Sequence, residues 1–202
     1  MSHTLVVLPD DSAKPLVDAI NGAKRSLQIR MFLFTDPTML QTVLAAKKRG
    51  VDVRVMLNPA RRDGTSDNGE TRDALVAAKI EVRDSNPEFA LTHQKSMVID
   101  EETGFVESLN WETRDLTETR DYAVVTTHDR EVREMIACFE ADWERKKFAP
   151  HGDVAAHLVP EQRPRAHRRI HRIARSTRCG CRTSATRTRS SSSAWCGPPG
   201  AA

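Results

Sequence analysis

No stretch of this sequence approaches the ~20 apolar residues that a helix needs to cross a bilayer, so no transmembrane segment is expected. The opening residues Met1-Ser2-His3-Thr4-Leu5 lack a basic start and a long apolar core. That argues against a secretion signal. Cysteine is scarce: of four, only Cys138 precedes residue 150, while Cys179, Cys181 and Cys196 lie near the end. A Cys179-x-Cys181 pair without companion ligands is a poor zinc site. No disulfide framework is implied, and a reducing cytoplasm, with or without peripheral membrane attachment, fits this usage. A basic body is missing too. Residues 1–149 carry 21 Lys and Arg against 26 Asp and Glu, a net of −5. Residues 150–202 carry 10 Arg against Asp153 and Glu161, a net of +8. The body's charge therefore does not suggest a nucleic-acid-coating surface.

At 202 residues and 39% hydrophobic, the chain can bury one core of its own. Leu5 to Leu8 reads as a short buried strand ended by Pro9, and Asp11 or Ser12 is placed to cap the helix that follows. Leu16, Val17, Ile20 and Ala23 recur at helical spacing. Leu27 to Phe34 reads as a strand, with Gln28 and Arg30 alternating with apolar neighbours. Asp36-Pro37 opens a second helix to about Arg49, which Gly50 stops. Val51 to Leu57 alternates as a strand. Glu70 to Lys79 looks helical, and Ile80 to Val82 reads as a short strand. These units predict an α/β fold, with a mixed, mostly parallel sheet flanked by helices on both faces. Glu112 to Thr119 reads as a loop and Asp121 to Thr126 as a strand. Asp129 to Lys147 reads as a long helix whose Met135, Ile136, Phe139 and Trp143 face the core.

The chemistry concentrates between Thr92 and Trp111. His93 is followed two residues on by Lys95 and five residues later by Asp100, and Ser108 and Asn110 come next. Side chains alternate along a strand, so His93 and Lys95 would share one face, as would Ser108 and Asn110. A hairpin closed by Asp100 to Thr103 would set His93 opposite Asn110 and Lys95 opposite Ser108, roughly 5 Å apart at Cβ. An imidazole, an ammonium, a hydroxyl and an amide on one patch suit a phosphate diester. Lys95 provides positive charge, so no metal or other cofactor is required. Asp100 lies an odd number of residues from His93, on the other face near the turn, and reads as the structural member of the set. Arg61 and Arg62 are most simply solvated loop arginines.

The pattern H-x-K-x-x-x-x-D followed by S-x-N resembles the phospholipase D superfamily, above all its bacterial cardiolipin synthase-like branch. The resemblance runs from about Leu5 to about Phe148 and includes Asn110-Trp111-Glu112 and Arg120-Asp121-Tyr122-Ala123-Val124. The family usually has Gly-Ser-x-Asn, and Glu107 stands here in the Gly position, beside the expected phosphate. The resemblance implies a phosphodiesterase or phosphatidyl transferase acting on a phospholipid. His93 would be the nucleophile, forming a phosphohistidine, and Lys95, Ser108 and Asn110 would hold the phosphate. Asp121, with Glu118 the weaker match, would supply the carboxylate behind the imidazole. It further implies a second histidine, supplied by a second motif copy or a symmetric homodimer; this sequence has one copy. A nuclease of the same chemistry, or a catalytically impaired half of a two-copy enzyme, are the alternatives.

After Pro150 the apolar pattern stops and Ser, Thr and Arg dominate, which predicts a basic, disordered tail over 150–202. Leu158-Val159-Pro160 and Ala174-Arg175-Ser176 echo Val7-Leu8-Pro9 and Ala23-Lys24-Arg25-Ser26. The tail is read as the start of a disrupted second copy, with a genuine basic tail for nucleic acid or anionic lipid as the rival reading.

Overall fold

The computed structural model describes residues 3–59 and 68–150. The expected tail, its echo of the N-terminal pattern, Arg61 and Arg62 lie outside them. The chain runs β1 (His3–Leu8), α1 (Lys14–Gly22), β2 (Ser26–Met31), α2 (Pro37–Lys48), β3 (Asp52–Leu57), α3 (Gly69–Ala77) and β4 (Glu81–Asp84). It continues β5 (Ser96–Ile99), β6 (Thr103–Glu107), α4 (Thr113–Thr117), β7 (Asp121–Thr126) and α5 (Asp129–Trp143).

The seven strands form one sheet in the order β1-β7-β6-β5-β2-β3-β4. Its mixed character matches expectation, but its balance does not. Only β2–β3 and β3–β4 are parallel; the other four neighbouring pairs are antiparallel. The physical reason is connectivity. Helical crossovers link β2 to β3, but after β4 the chain doubles back in a hairpin, and a tight turn can only join antiparallel strands. β1 is also followed by a helix, yet it pairs β7 at the far edge rather than β2.

Helices cover both faces. Leu16 and Ile20 of α1, Met39 and Val43 of α2, Leu75 of α3 and Leu116 of α4 share one core with Leu27, Ile29, Val53 and Val55. On the other face α5 sets Val132 and Met135 against Val98, and Phe139 and Trp143 against Met56. Gln28 and Arg30, polar partners in the β2 alternation, face this helix and are buried, Arg30 at 2% exposure. Burying a guanidinium requires a partner. Arg30 meets Asp142 at 3.0 Å, and Gln28 donates to Glu140 at 2.8 Å. Among the described residues no helix is long and apolar enough to cross a membrane.

Local signals set some ends and missed others. The Asp36 carboxylate accepts the Met39 N–H at 2.9 Å, Pro37 takes the first turn, and Gly50 follows the helix at φ 93°. α1, by contrast, has Ala13 at its N-cap with no side-chain cap. Asp11 is spent on the Val7 N–H at 2.8 Å, and Ser12 accepts from Lys14 N–H at 3.3 Å. The expected loop after Glu112 contains α4, whose Thr113 hydroxyl donates to Asp36 at 2.7 Å.

The turn between β5 and β6 differs by one residue from the expected one. Asp100 and Glu101 take left-handed backbone at φ 53° and 60°, so three residues close the hairpin and Ile99 pairs with Thr103. Asp100 accepts from the backbone N–H groups of Lys24 at 3.0 Å, Arg25 at 2.7 Å and Ser26 at 2.9 Å, tying the turn to the start of β2. Desolvation pushes this carboxyl up, but the three N–H bonds and the Arg25 charge outweigh it and hold it below the usual range. Asp100→Asn, which tolerates the left-handed backbone, should cost about 1–3 kcal/mol in urea unfolding at pH 7. Because the folded pKa is depressed, the difference should shrink as pH falls through it.

Candidate active site

His93 and Lys95 lie just before β5, in the segment that leads into it, not within a strand. The approach is anchored from outside the motif. The Thr92 N–H donates to Asn58 Oδ1 at 3.0 Å, at the end of β3. Asn58 in turn is fixed by Asn68, whose Nδ2 donates to the Asn58 carbonyl at 3.0 Å and to the Phe32 carbonyl at 2.9 Å. Gln94, between the two motif residues, accepts from the buried Arg30. Sequence spacing gave no sign of these contacts, because each joins residues far apart in the chain.

The Lys95 ammonium lies 3.2 Å from both His93 ring nitrogens. His93 is exposed while Lys95 is buried at 5% exposure. Burial lowers the Lys95 pKa; the charges of Asp115, Asp121 and Glu112 act against that and favour its cationic form. The expected cross-strand partners are different. With this turn the pairing slips by one residue, and a one-residue slip changes the facing set. Ser96 pairs with Val106, and the Glu107 N–H bonds the Lys95 carbonyl at 3.0 Å. Glu107, not Ser108, thus stands opposite Lys95.

Ser108 and Asn110 follow the end of β6. The Ser108 hydroxyl donates to Asp121 at 2.6 Å and accepts the Tyr122 N–H at 2.9 Å. A hydroxyl has one proton, so binding a phosphate oxygen would require that proton to leave Asp121. The second Asp121 oxygen accepts from Thr119 at 2.5 Å. Asn110 donates its backbone and side-chain N–H groups to Asp115, at 3.0 and 2.9 Å. A carboxamide has a second N–H to offer. Asp115, in the first turn of α4, is a site residue that the sequence pattern did not single out. Trp111 fixes this segment to the chain after β2: its carbonyl accepts from Thr35 and Asp36 N–H, both at 2.8 Å. Glu118 is exposed at the end of α4.

Glu107 does not stand beside the phosphate position as its place in the motif suggested. It turns into the core, 7% exposed, and accepts the Trp111 indole N–H at 2.8 Å. Its other oxygen is buried without a hydrogen bond. Desolvation pushes this carboxyl up to about 8, and the indole bond only partly opposes it.

An imidazole against a cation, with polar donors and carboxylates around them, is a layout for handling an anionic ester. Comparison with known proteins places it. The mitochondrial cardiolipin hydrolase of Homo sapiens is 32% identical over 131 residues, 64% of this chain and 50% of that protein. Cardiolipin synthase A of Pseudomonas aeruginosa is 31% identical over 137 residues, 66% of this chain and 28% of that one. The chain thus spans about half the length of the first relative and under a third of the second. Among solved structures, the phospholipase D family member Nuc from Salmonella typhimurium superposes with a TM-score of 0.64 at 25% identity. That match covers 74% of this chain and 99% of Nuc. The family model described as cardiolipin synthase, PLD-like domain, matches residues 16–143, well over half of the chain, and the protein belongs to that family.

Proposed function

We propose that this protein is a phospholipase D-type phosphodiesterase or phosphatidyl transferase that acts on a phospholipid through a phosphohistidine. The observation that carries the reading is the Lys95 ammonium 3.2 Å from the His93 imidazole, in a chain of this family. In the first step a His93 nitrogen attacks phosphorus and the bond to the leaving alkoxide breaks, with an acid protonating the departing oxygen. In the second, water or an alcohol attacks the phosphohistidine, loses its proton, and frees the imidazole. Splitting one displacement into two lowers each barrier. Lys95 offsets the charge on the non-bridging oxygens, Asn110 contributes its remaining N–H, and Asp121 is the carboxylate that steadies an imidazolium.

One motif provides one histidine, and the acid of the first step has to come from elsewhere. A symmetric homodimer would bring two His93 side chains to one phosphate. The reading predicts a dimer in sedimentation, and turnover by a monomer would contradict it. Vesicles of cardiolipin, phosphatidylglycerol or phosphatidylcholine, and single-stranded DNA, should be tested side by side. Release or transfer of the lipid headgroup is expected. Cleavage of DNA alone would make this a nuclease of the same chemistry, and no turnover of any of them would point to an impaired half.

A further inference from the structure

The two groups at the centre of the site touch a residue outside the motif. The Phe32 ring meets the His93 imidazole edge-on, with centroids 4.5 Å apart and planes at 60°. Lys95 Nζ lies 5.4 Å from the centroid of the same ring. One aromatic ring therefore contacts both members of the H-x-K pair. Its backbone is fixed on either side: the Asn68 carboxamide donates to the Phe32 carbonyl at 2.9 Å and accepts the Phe34 N–H at 2.8 Å. Asn68 is 4% exposed and also bonds the Asn58 carbonyl, while Asn58 holds the Thr92 N–H. The platform and the loop carrying His93 are thus tied to the same pair of buried amides.

We infer that Phe32 is a positioning residue that sets His93 and Lys95 against one another and keeps the lysine cationic where it is buried. An aromatic face carries partial negative charge and attracts an ammonium within about 6 Å, more strongly where water is excluded. An edge-to-face contact also restricts the imidazole's rotation. The other charged or titratable groups acting on Lys95 are Asp115 and Glu112 around α4, Asp121 of β7, and His93 itself. Phe32 is the contribution from the chain just after β2.

The role goes beyond the proposed activity, and its main test does not need turnover. Lysines are tagged by reductive 13C-methylation, the Lys95 signal is assigned with Lys95→Arg, and its titration is followed by NMR. In Phe32→Leu, which keeps apolar bulk but removes the ring, the Lys95 midpoint should fall by about one pH unit. Phe32→Tyr should stay within a few tenths of the unmodified protein. A Phe32→Leu protein that unfolds at the normal urea midpoint yet titrates like wild type would overturn the inference, as would an equal fall in Phe32→Tyr. If the protein turns over phosphodiesters as proposed above, Phe32→Leu should also lower kcat about tenfold with KM little changed. Absence of activity in wild type would remove that reading and leave the titration to decide Phe32.

Discussion

His93→Ala is expected to lower phosphodiester turnover by about a thousandfold or more without unfolding the protein. Removing a nucleophile abolishes the covalent route, and neighbouring groups left in place recover only the part that binding and charge stabilisation supply. His93 is exposed and lies ahead of β5 rather than inside it. Its loss should therefore change the urea midpoint little, since exposed substitutions usually fall within about 0.5 kcal/mol. The same comparison can trap the intermediate. With substrate labelled at phosphorus, the wild-type chain quenched in base should retain acid-labile label, and the alanine variant should retain none. Equal turnover in the two proteins would end the assignment of His93 as nucleophile. Label retained by the variant would move the covalent role to another side chain.

The second large effect concerns stability and pH. Glu107 is buried, its carboxyl is raised to about 8, and its ordinary value is 4.5. The folded protein therefore binds this proton more tightly than the unfolded chain does. Stability from this group is full below about pH 4.5 and falls as pH rises towards about 8, by about 1.4 kcal/mol per pH unit. Across that window the loss is on the order of 3–5 kcal/mol, a large share of a typical domain's margin. Glu107→Gln keeps an acceptor for the Trp111 indole and cannot ionise. It should flatten this component, so that the variant's stability relative to wild type climbs steadily between pH 5 and pH 8. The slope is the cleaner readout, because an amide must also bury its own N–H groups, which shifts the whole curve by about 1–3 kcal/mol. Parallel curves for the two proteins would mean that Glu107 does not carry a proton of unusual affinity.

Glu107 also explains how this chain departs from the family pattern without an extra charge at the site. In a glycine's place, a carboxylate facing a phosphate would oppose binding. Turned into the core and neutral below about pH 8, it instead joins the end of β6 to Trp111. Trp111 is fully buried and packs edge-on against Phe34 at 4.8 Å. The segment carrying Asn110 is thereby fixed from the inside.

The motif of His93, Lys95, Ser108 and Asn110 was plain in the order of residues, and so were the elements whose signals are local. Asp36-Pro37 opens α2 and Gly50 follows it, because a carboxylate cap, a fixed φ and a left-handed residue act within one turn. The spacing of Met135, Ile136, Phe139 and Trp143 gives α5 an apolar side wherever it docks. What faces what was decided only by tertiary structure. Two left-handed residues, Asp100 and Glu101, shifted the hairpin register by one position, and the side-chain period of two turned that into a different partner for Lys95. The sheet's antiparallel majority depends on which edge β1 joins, a choice made by contacts with β7. The couplings around the site, Thr92 with Asn58, Gln94 with Arg30, Asn110 with Asp115 and Ser108 with Asp121, come from whichever donors and acceptors the packed core leaves within 3 Å or so of each other. Residue spacing determines which side chains the chain offers; burial, and the need to pair every polar group that burial strips of water, determines how they are used.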